Sequence, residues 1–186
     1  MHTSLYYYVK QYRMAFDNNT CQQSLRELDS AQFQKHWYYN TKTQEKFSND
    51  SDCYTSSEHL STSQVIMDNV VGSIDTYQKE LEFPWFHEWS SVSNPRWNKY
   101  TVGTEMKKHC DHITNLFDGS RRGIPVLTIL GLFQNSDKGG DLILFDDKTV
   151  NFQPMDILIF PSIFLFPHRV TPILEGVRYS FVCWAW

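Results

Sequence analysis

The chain has 186 residues, a formal net charge of -4 and a pI near 5.9, with 41% hydrophobic and 20% charged residues. That length suits one domain, residues 1–186, and the acidic balance argues against a protein that tracks nucleic-acid phosphates. No apolar run is long enough for a membrane span, and the opening Met1-His2-Thr3-Ser4 lacks the basic-then-apolar layout of a signal peptide, so a cytoplasmic protein is expected.

Residues 1–83 form an N-terminal helical and strand supporting region, polar over 1–63. A short helix is expected over 21–28, introduced by Asp17-Asn18-Asn19-Thr20, which supplies N-cap side chains. The aromatic stretch 33–39 reads as a strand, and 40–58, rich in Ser, Thr, Asn and Asp, reads as a surface loop. Over 63–81 the residues Val65, Ile66, Val70, Ile74 and Tyr77 recur at helical spacing and predict the chain's best helix. Four cysteines, Cys21, Cys53, Cys110 and Cys183, form no CxxC pair and fit free thiols in a reducing compartment.

After Pro84 the pattern turns to short β runs: 97–102, 125–134, 141–145, 156–161, 166–172 and 177–186, with turn residues between them, among them those of 172–176. Such spacing predicts a mainly β, α+β fold: a sandwich or jelly roll over 84–186 with N-terminal helices packed outside it.

Three features in these runs carry chemistry. In His109-Cys110-Asp111, extended backbone turns the imidazole and the carboxylate to one face while Cys110 points away. His168, in Phe166-Pro167-His168-Arg169-Val170, lies 59 residues later and supplies a third vertex for a two-histidine, one-carboxylate face on a ferrous ion. Arg178 stands inside the apolar run 177–184, where a guanidinium needs an anion and its planar fork suits a carboxylate. Alternation sets Arg178, Ser180, Val182 and Trp184 on one face. Each piece alone has an ordinary structural explanation: a polar strand end, a core histidine, an edge arginine paired with Asp or Glu.

Together they resemble the prolyl 4-hydroxylase-like branch of the iron(II)/2-oxoglutarate-dependent oxygenase superfamily. Lys99-Tyr100-Thr101-Val102-Gly103 ahead of His109-Cys110-Asp111 looks like the family's basic-Tyr-x-x-Gly lead-in. Gly139-Gly140-Asp141-Leu142 is similar to its Gly-Gly-acidic strand, and 150–160 resembles its Pro-x-x-Gly segment with Asp156 near the usual glycine. His168-Arg169-Val170 with Gly176-Val177-Arg178-Tyr179-Ser180 looks like its distal His and Arg pair. The resemblance implies a double-stranded β-helix with Fe(II) on His109, Asp111 and His168, and 2-oxoglutarate clamped by Arg178. It also implies Tyr100 and Trp184 against the co-substrate, with Ser180 in support, and O2-driven hydroxylation of a substrate C–H bond releasing succinate and CO2.

One departure stands out. Where many prolyl hydroxylases carry Tyr-Leu-Asn, this chain has Leu130-Gly131-Leu132-Phe133, so Tyr100 or Thr128 would supply the lost contact. Leu127, Ile129, Leu142 and Leu144 are expected as apolar walls, and 115–123 borders the substrate or is a solvated turn. A protein or peptide side chain, proline foremost, is the leading substrate. The alternatives are a free amino acid or small metabolite, zinc-dependent hydrolysis, which would leave Arg178 idle, and a non-catalytic jelly-roll binding module. Nucleic-acid demethylation fits poorly, because Trp184 stands where that branch carries a second arginine.

Overall fold

The computed structural model describes residues 4–40, 43, 45–81, 89–111 and 125–186. The loop 115–123 lies outside the described residues. After a 3-10 turn at Leu5–Tyr8, strand β1 (Lys10–Tyr12) leads into α1 (Asn18–Ser30). The Asp17 carboxylate accepts from the Thr20 amide at 2.7 Å, so the N-cap is the one the sequence predicts. β2 (Gln34–Lys35), β3 (Tyr38–Asn40), β4 (Glu45–Phe47) and β5 (Tyr54–Ser56) follow, then α2 (Ser63–Leu81). The predicted strand over 33–39 is thus two strands, in different sheets.

The remaining strands are β6 (Arg96–Tyr100), β7 (Met106–His109), β8 (Leu127–Gln134), β9 (Lys138–Gly139), β10 (Leu142–Leu144) and β11 (Lys148–Thr149). They end with β12 (Ile157–Pro161), β13 (His168–Val170), β14 (Ile173–Glu175) and β15 (Arg178–Ala185). A seven-stranded antiparallel sheet, ordered β1-β12-β8-β15-β6-β5-β2, faces a four-stranded sheet ordered β11-β10-β13-β7. This is a double-stranded β-helix core with α1 and α2 packed on its outside.

The large sheet is covered on both faces, so its central strands β12, β8 and β15 are buried along most of their length. Odd-numbered residues of β8, β12 and β15 (Ile129, Phe133, Ile157, Ile159, Phe181, Cys183) pack with Leu28 of α1 and Ile66, Val70, Ile74 and Tyr77 of α2. Even-numbered ones (Leu132, Leu158, Phe160) meet Met106, Leu142, Leu144 and Val170 between the sheets. A β-carbon at Gly131 would lie 1.9 Å from Cε1 of Phe181, so glycine there lets the Phe181 ring cross the neighbouring strand. This accounts for the glycine in the departing Leu130-Gly131-Leu132-Phe133 segment.

Two loop expectations change. Residues 40–58 are not simply a surface loop: β5 pairs with β6, extends the large sheet, and buries Asp52, Cys53, Thr55 and Ser56. The ladder serves the backbone of Thr55 and Ser56, while the Asp52 amide donates to the Asn49 carbonyl and the Cys53 carbonyl accepts from the His36 amide, so polar composition is no bar to burial. The expected turn over 172–176 contains β14, paired with β9, and turns only at Gly176. Asp156, near the usual family glycine, is a structural anchor. Its carboxylate accepts from Arg13 Nη1 at 2.7 Å, Gln11 Nε2 at 2.8 Å and the amides of Met14 and Gln153, tying β1 to β12. No helix among the described residues is long and apolar enough to cross a membrane.

Candidate metal centre

β7 and β13 pair in the register that sets His109 directly opposite His168, with ring centroids 4.3 Å apart. Asp111, two residues beyond His109, turns its Oδ1 to both rings, 3.3 Å from His109 Nε2 and 3.9 Å from His168 Nε2. One ligand atom from each of the three lies within 4.8 Å of the others.

Each imidazole is oriented from behind. His109 Nδ1 meets the Lys107 carbonyl at 2.7 Å and His168 Nδ1 meets the Phe166 carbonyl at 3.2 Å. A carbonyl only accepts, so in the neutral rings Nδ1 carries the proton and Nε2 turns a lone pair to the cluster. Asp111 is held likewise: its Oδ2 accepts from Thr128 Oγ1 and from Trp184 Nε1, both at 3.0 Å. Ser162 in turn sits 2.8 Å from the Thr128 hydroxyl.

The electrostatics suit a cation. Burial alone would raise the Asp111 pKa, but the His168 and His109 imidazoles and the Trp184 hydrogen bond hold it well below the usual carboxylate range. Burial first, and His109 second, push His168 down to about 4, so its Nε2 is bare at neutral pH. For His109 burial is the largest influence and lowers the pKa, yet the hydrogen bond and charge of Asp111 outweigh it and raise the value. Two nitrogens and one carboxylate oxygen on one side of a void are the donor set of a ferrous site with open positions. The residues present fit the ion.

Across the cavity, Arg178 is 3% exposed on β15, a central strand between β8 and β6. Its Nη1 donates to Ser180 Oγ at 2.8 Å, its Cζ lies 5.3 Å from the Tyr100 ring centroid, and its Nε is buried with no hydrogen-bond partner. Burial lowers its pKa from the ordinary arginine value. No carboxylate among the described residues forms an ion pair with it, which removes the strand-edge explanation. A β-carbon at Gly140 would lie 2.5 Å from Ser136 Oγ, 2.7 Å from Ile173 Cδ1 and 3.3 Å from Arg178 Cδ, so glycine lets the turn before β10 pack closely beside the arginine stem. A buried cation with unfilled donors fits a ligand carboxylate.

The predicted face of β15 lines the cavity: Arg178, Ser180, Val182 and Trp184 do so together with Tyr100. Thr128 is not among the lining residues; its hydroxyl serves Asp111. Of the expected apolar walls only Leu142 lines the cavity. Leu127 and Ile129 face the helices, one step out of register, and Leu130 takes that place, while Leu144 is buried between the sheets. Sequence reasoning also missed Arg96 and Asn98, which line the cavity beside Tyr100. The same two-residue alternation, applied to β6, would have found them.

The model of the 2OG-Fe(II) oxygenase superfamily matches residues 95–186. A PKHD-type hydroxylase of Methylobacterium nodulans is 31% identical over 100 residues, 50% of this chain, and the match spans 43% of that relative's length. The viral collagen prolyl hydroxylase of Paramecium bursaria Chlorella virus-1 superposes with a TM-score of 0.65 at 9% identity, over 96% of this chain and 94% of that one. A Trichoplax adhaerens prolyl hydroxylase, in complex with a hypoxia inducible factor peptide fragment, superposes at 0.67 with 17% identity, covering 96% and 83%. A Pseudomonas putida prolyl-4-hydroxylase superposes at 0.62 with 15% identity, covering 96% and 91%. These likenesses establish the shared fold, and with the matched residues 95–186 they lead to one conclusion: the chain belongs to the 2OG-Fe(II) oxygenase superfamily.

Proposed function

We propose that this protein is an Fe(II)- and 2-oxoglutarate-dependent dioxygenase that hydroxylates a C–H bond of a protein or peptide side chain, with proline the leading choice. The observation that carries the reading is the convergence of His109, Asp111 and His168 beside a buried Arg178 whose Nε has no partner. In this reading His109, Asp111 and His168 hold the iron, and Arg178 holds the distal carboxylate of 2-oxoglutarate. Bound there, the iron supplies coupled oxidation: 2-oxoglutarate, O2 and R–H become succinate, CO2 and R–OH.

The chain's own residues bind, orient and exclude water. Thr128 and Trp184 keep Oδ1 of Asp111 turned to the two histidines, and the Lys107 and Phe166 carbonyls keep each Nε2 bare. Ser180 steadies the Arg178 fork, while Tyr100 packs against it. Met106, Leu130, Leu142, Phe152, Val170 and Val182 give the cavity an apolar wall that strengthens every electrostatic contact inside. The prolyl hydroxylases of like fold, one of them bound to a peptide, support a protein or peptide substrate. Four cysteines without a disulfide agree with a cytoplasmic setting.

Succinate release with Fe(II), 2-oxoglutarate and a peptide library containing proline sequences tests the proposal. Succinate and a gain of one oxygen on a peptide are expected, both lost in Asp111→Ala. Iron and 2-oxoglutarate bound without any succinate across the library would point instead to a binding module.

A further inference from the structure

Arg178 opens β15, at the end of the strand away from Trp184, whose indole donates to Asp111. Behind it lies a second hollow of about 420 Å³, set between residues 135–142 and 149–153 and lined by no metal donor. Thr149, Asn151 and Gln153 stand exposed at its rim, so it is open to the surface. Arg178, Leu142 and Phe152 line both this hollow and the metal cavity, and these three side chains form the partition between them. Gly140, beside the Arg178 stem, adds no side chain to it.

The arginine in that partition is loosely held. Among the described residues its one side-chain hydrogen bond goes to Ser180, two residues on along the same strand, and its Nε has no partner. β8 faces the cavity here with Leu130, which has no polar group to fix a carboxylate from that side. Burial is the largest influence on the guanidinium and lowers its pKa, while Asp141, which lines the hollow, is among the groups that favour its charge. The hollow thus offers the side chain both room and a favourable field.

A pocket with a packed end wall fixes the length of its ligand. Forcing one more methylene against close-packed side chains costs about 5- to 150-fold in affinity. Here the end wall is a long, flexible side chain with a void behind it. It yields to a longer ligand without giving up its charge on the carboxylate.

We propose that the co-substrate pocket has an adjustable end, in which Arg178 withdraws toward the hollow, so that a 2-oxo diacid one methylene longer than 2-oxoglutarate binds in its place. This deepens the reading above and rests on it.

Protein loaded with Mn(II), a redox-silent stand-in for the iron, is titrated by calorimetry with 2-oxoglutarate and with 2-oxoadipate. Wild type is expected to bind the two within about fivefold of each other, below the loss a packed wall imposes. Thr149→Trp sets an indole into the hollow from its exposed rim. It is expected to weaken 2-oxoadipate by about tenfold or more and to leave 2-oxoglutarate within about threefold. Lys148→Trp, next to it but not lining the hollow, is expected to change neither.

Wild type that binds 2-oxoadipate more than about fivefold more weakly than 2-oxoglutarate overturns the proposal. So does a ratio between the two acids that Thr149→Trp and Asn151→Trp both leave unaltered. If Thr149→Trp unfolds by circular dichroism, Asn151→Trp, also at the exposed rim, reads the same loss. Should 2-oxoglutarate fail to bind wild type, the parent reading fails and takes this proposal with it, whereas 2-oxoglutarate bound and 2-oxoadipate rejected defeats the adjustable end alone.

Discussion

On one face of β15, Tyr179, Phe181, Cys183 and Ala185 pack toward the helices; on the other, Arg178, Ser180, Val182 and Trp184 line the cavity. The outer face is complete in itself. Phe181 meets Phe133, Trp97 and Phe16 with ring centroids 5.5, 6.0 and 6.3 Å away, and the Tyr179 hydroxyl donates to Asp29 of α1 at 2.8 Å. The inner face is incomplete: Arg178 Nε lacks a partner, and so does Asn98 Oδ1 on the neighbouring strand. One strand therefore holds the fold together on one side and keeps polar capacity open for ligands on the other. Packing that saturates itself serves stability, whereas buried polar groups left open serve binding.

Substitutions on either face should separate the two roles. The largest effect is expected from Phe181→Ala, which removes a fully buried ring from the outer face. Unfolding in urea should show a loss of about 3–5 kcal/mol, and any remaining folded protein should still bind Mn(II) and 2-oxoglutarate. Arg178→Gln is the inner-face counterpart. It should weaken 2-oxoglutarate binding to the Mn(II)-loaded protein by about 30-fold to several thousand-fold, read by calorimetry. The melting temperature of the metal-free protein should not fall, because the native guanidinium is buried with an unfilled donor. A large fall in melting temperature would mean that the inner face also carries the fold.

The smallest effect is expected behind the metal donors. Thr128→Val keeps the shape and removes the hydroxyl that donates to Asp111. Mn(II) affinity should drop about 10- to 100-fold, as for other groups that orient a metal ligand, with 2-oxoglutarate affinity following only through the metal. An unchanged Mn(II) affinity would show that Trp184 alone orients the carboxylate.

Much of this was legible from local pattern. α2 begins and ends at the predicted residues because its apolar spacing repeats over five turns, and α1 starts at the side chain that caps it. The cavity face of β15 followed from simple alternation. The roles of 40–58 were not legible, because a polar segment is buried only when a partner strand satisfies its backbone, and β6 lies some forty residues away in sequence. The sequence offers Thr128 as a co-substrate contact, but whether its hydroxyl meets a cofactor or Asp111 depends on how β8 sits against the residues after β7.

By itself the sequence determined the parts with a short period: the two helices, the paired placement of His109 and Asp111, and the sidedness of Arg178, Ser180 and Trp184. A strand's alternation acts within a few residues and needs no partner. Tertiary structure alone decided that His168 faces His109, that Thr128 and Trp184 share one oxygen of Asp111, and that Arg96 and Asn98 join Tyr100 along the cavity. Those outcomes depend on which strands pair and in what register, and register is a property of the whole sheet rather than of any one strand.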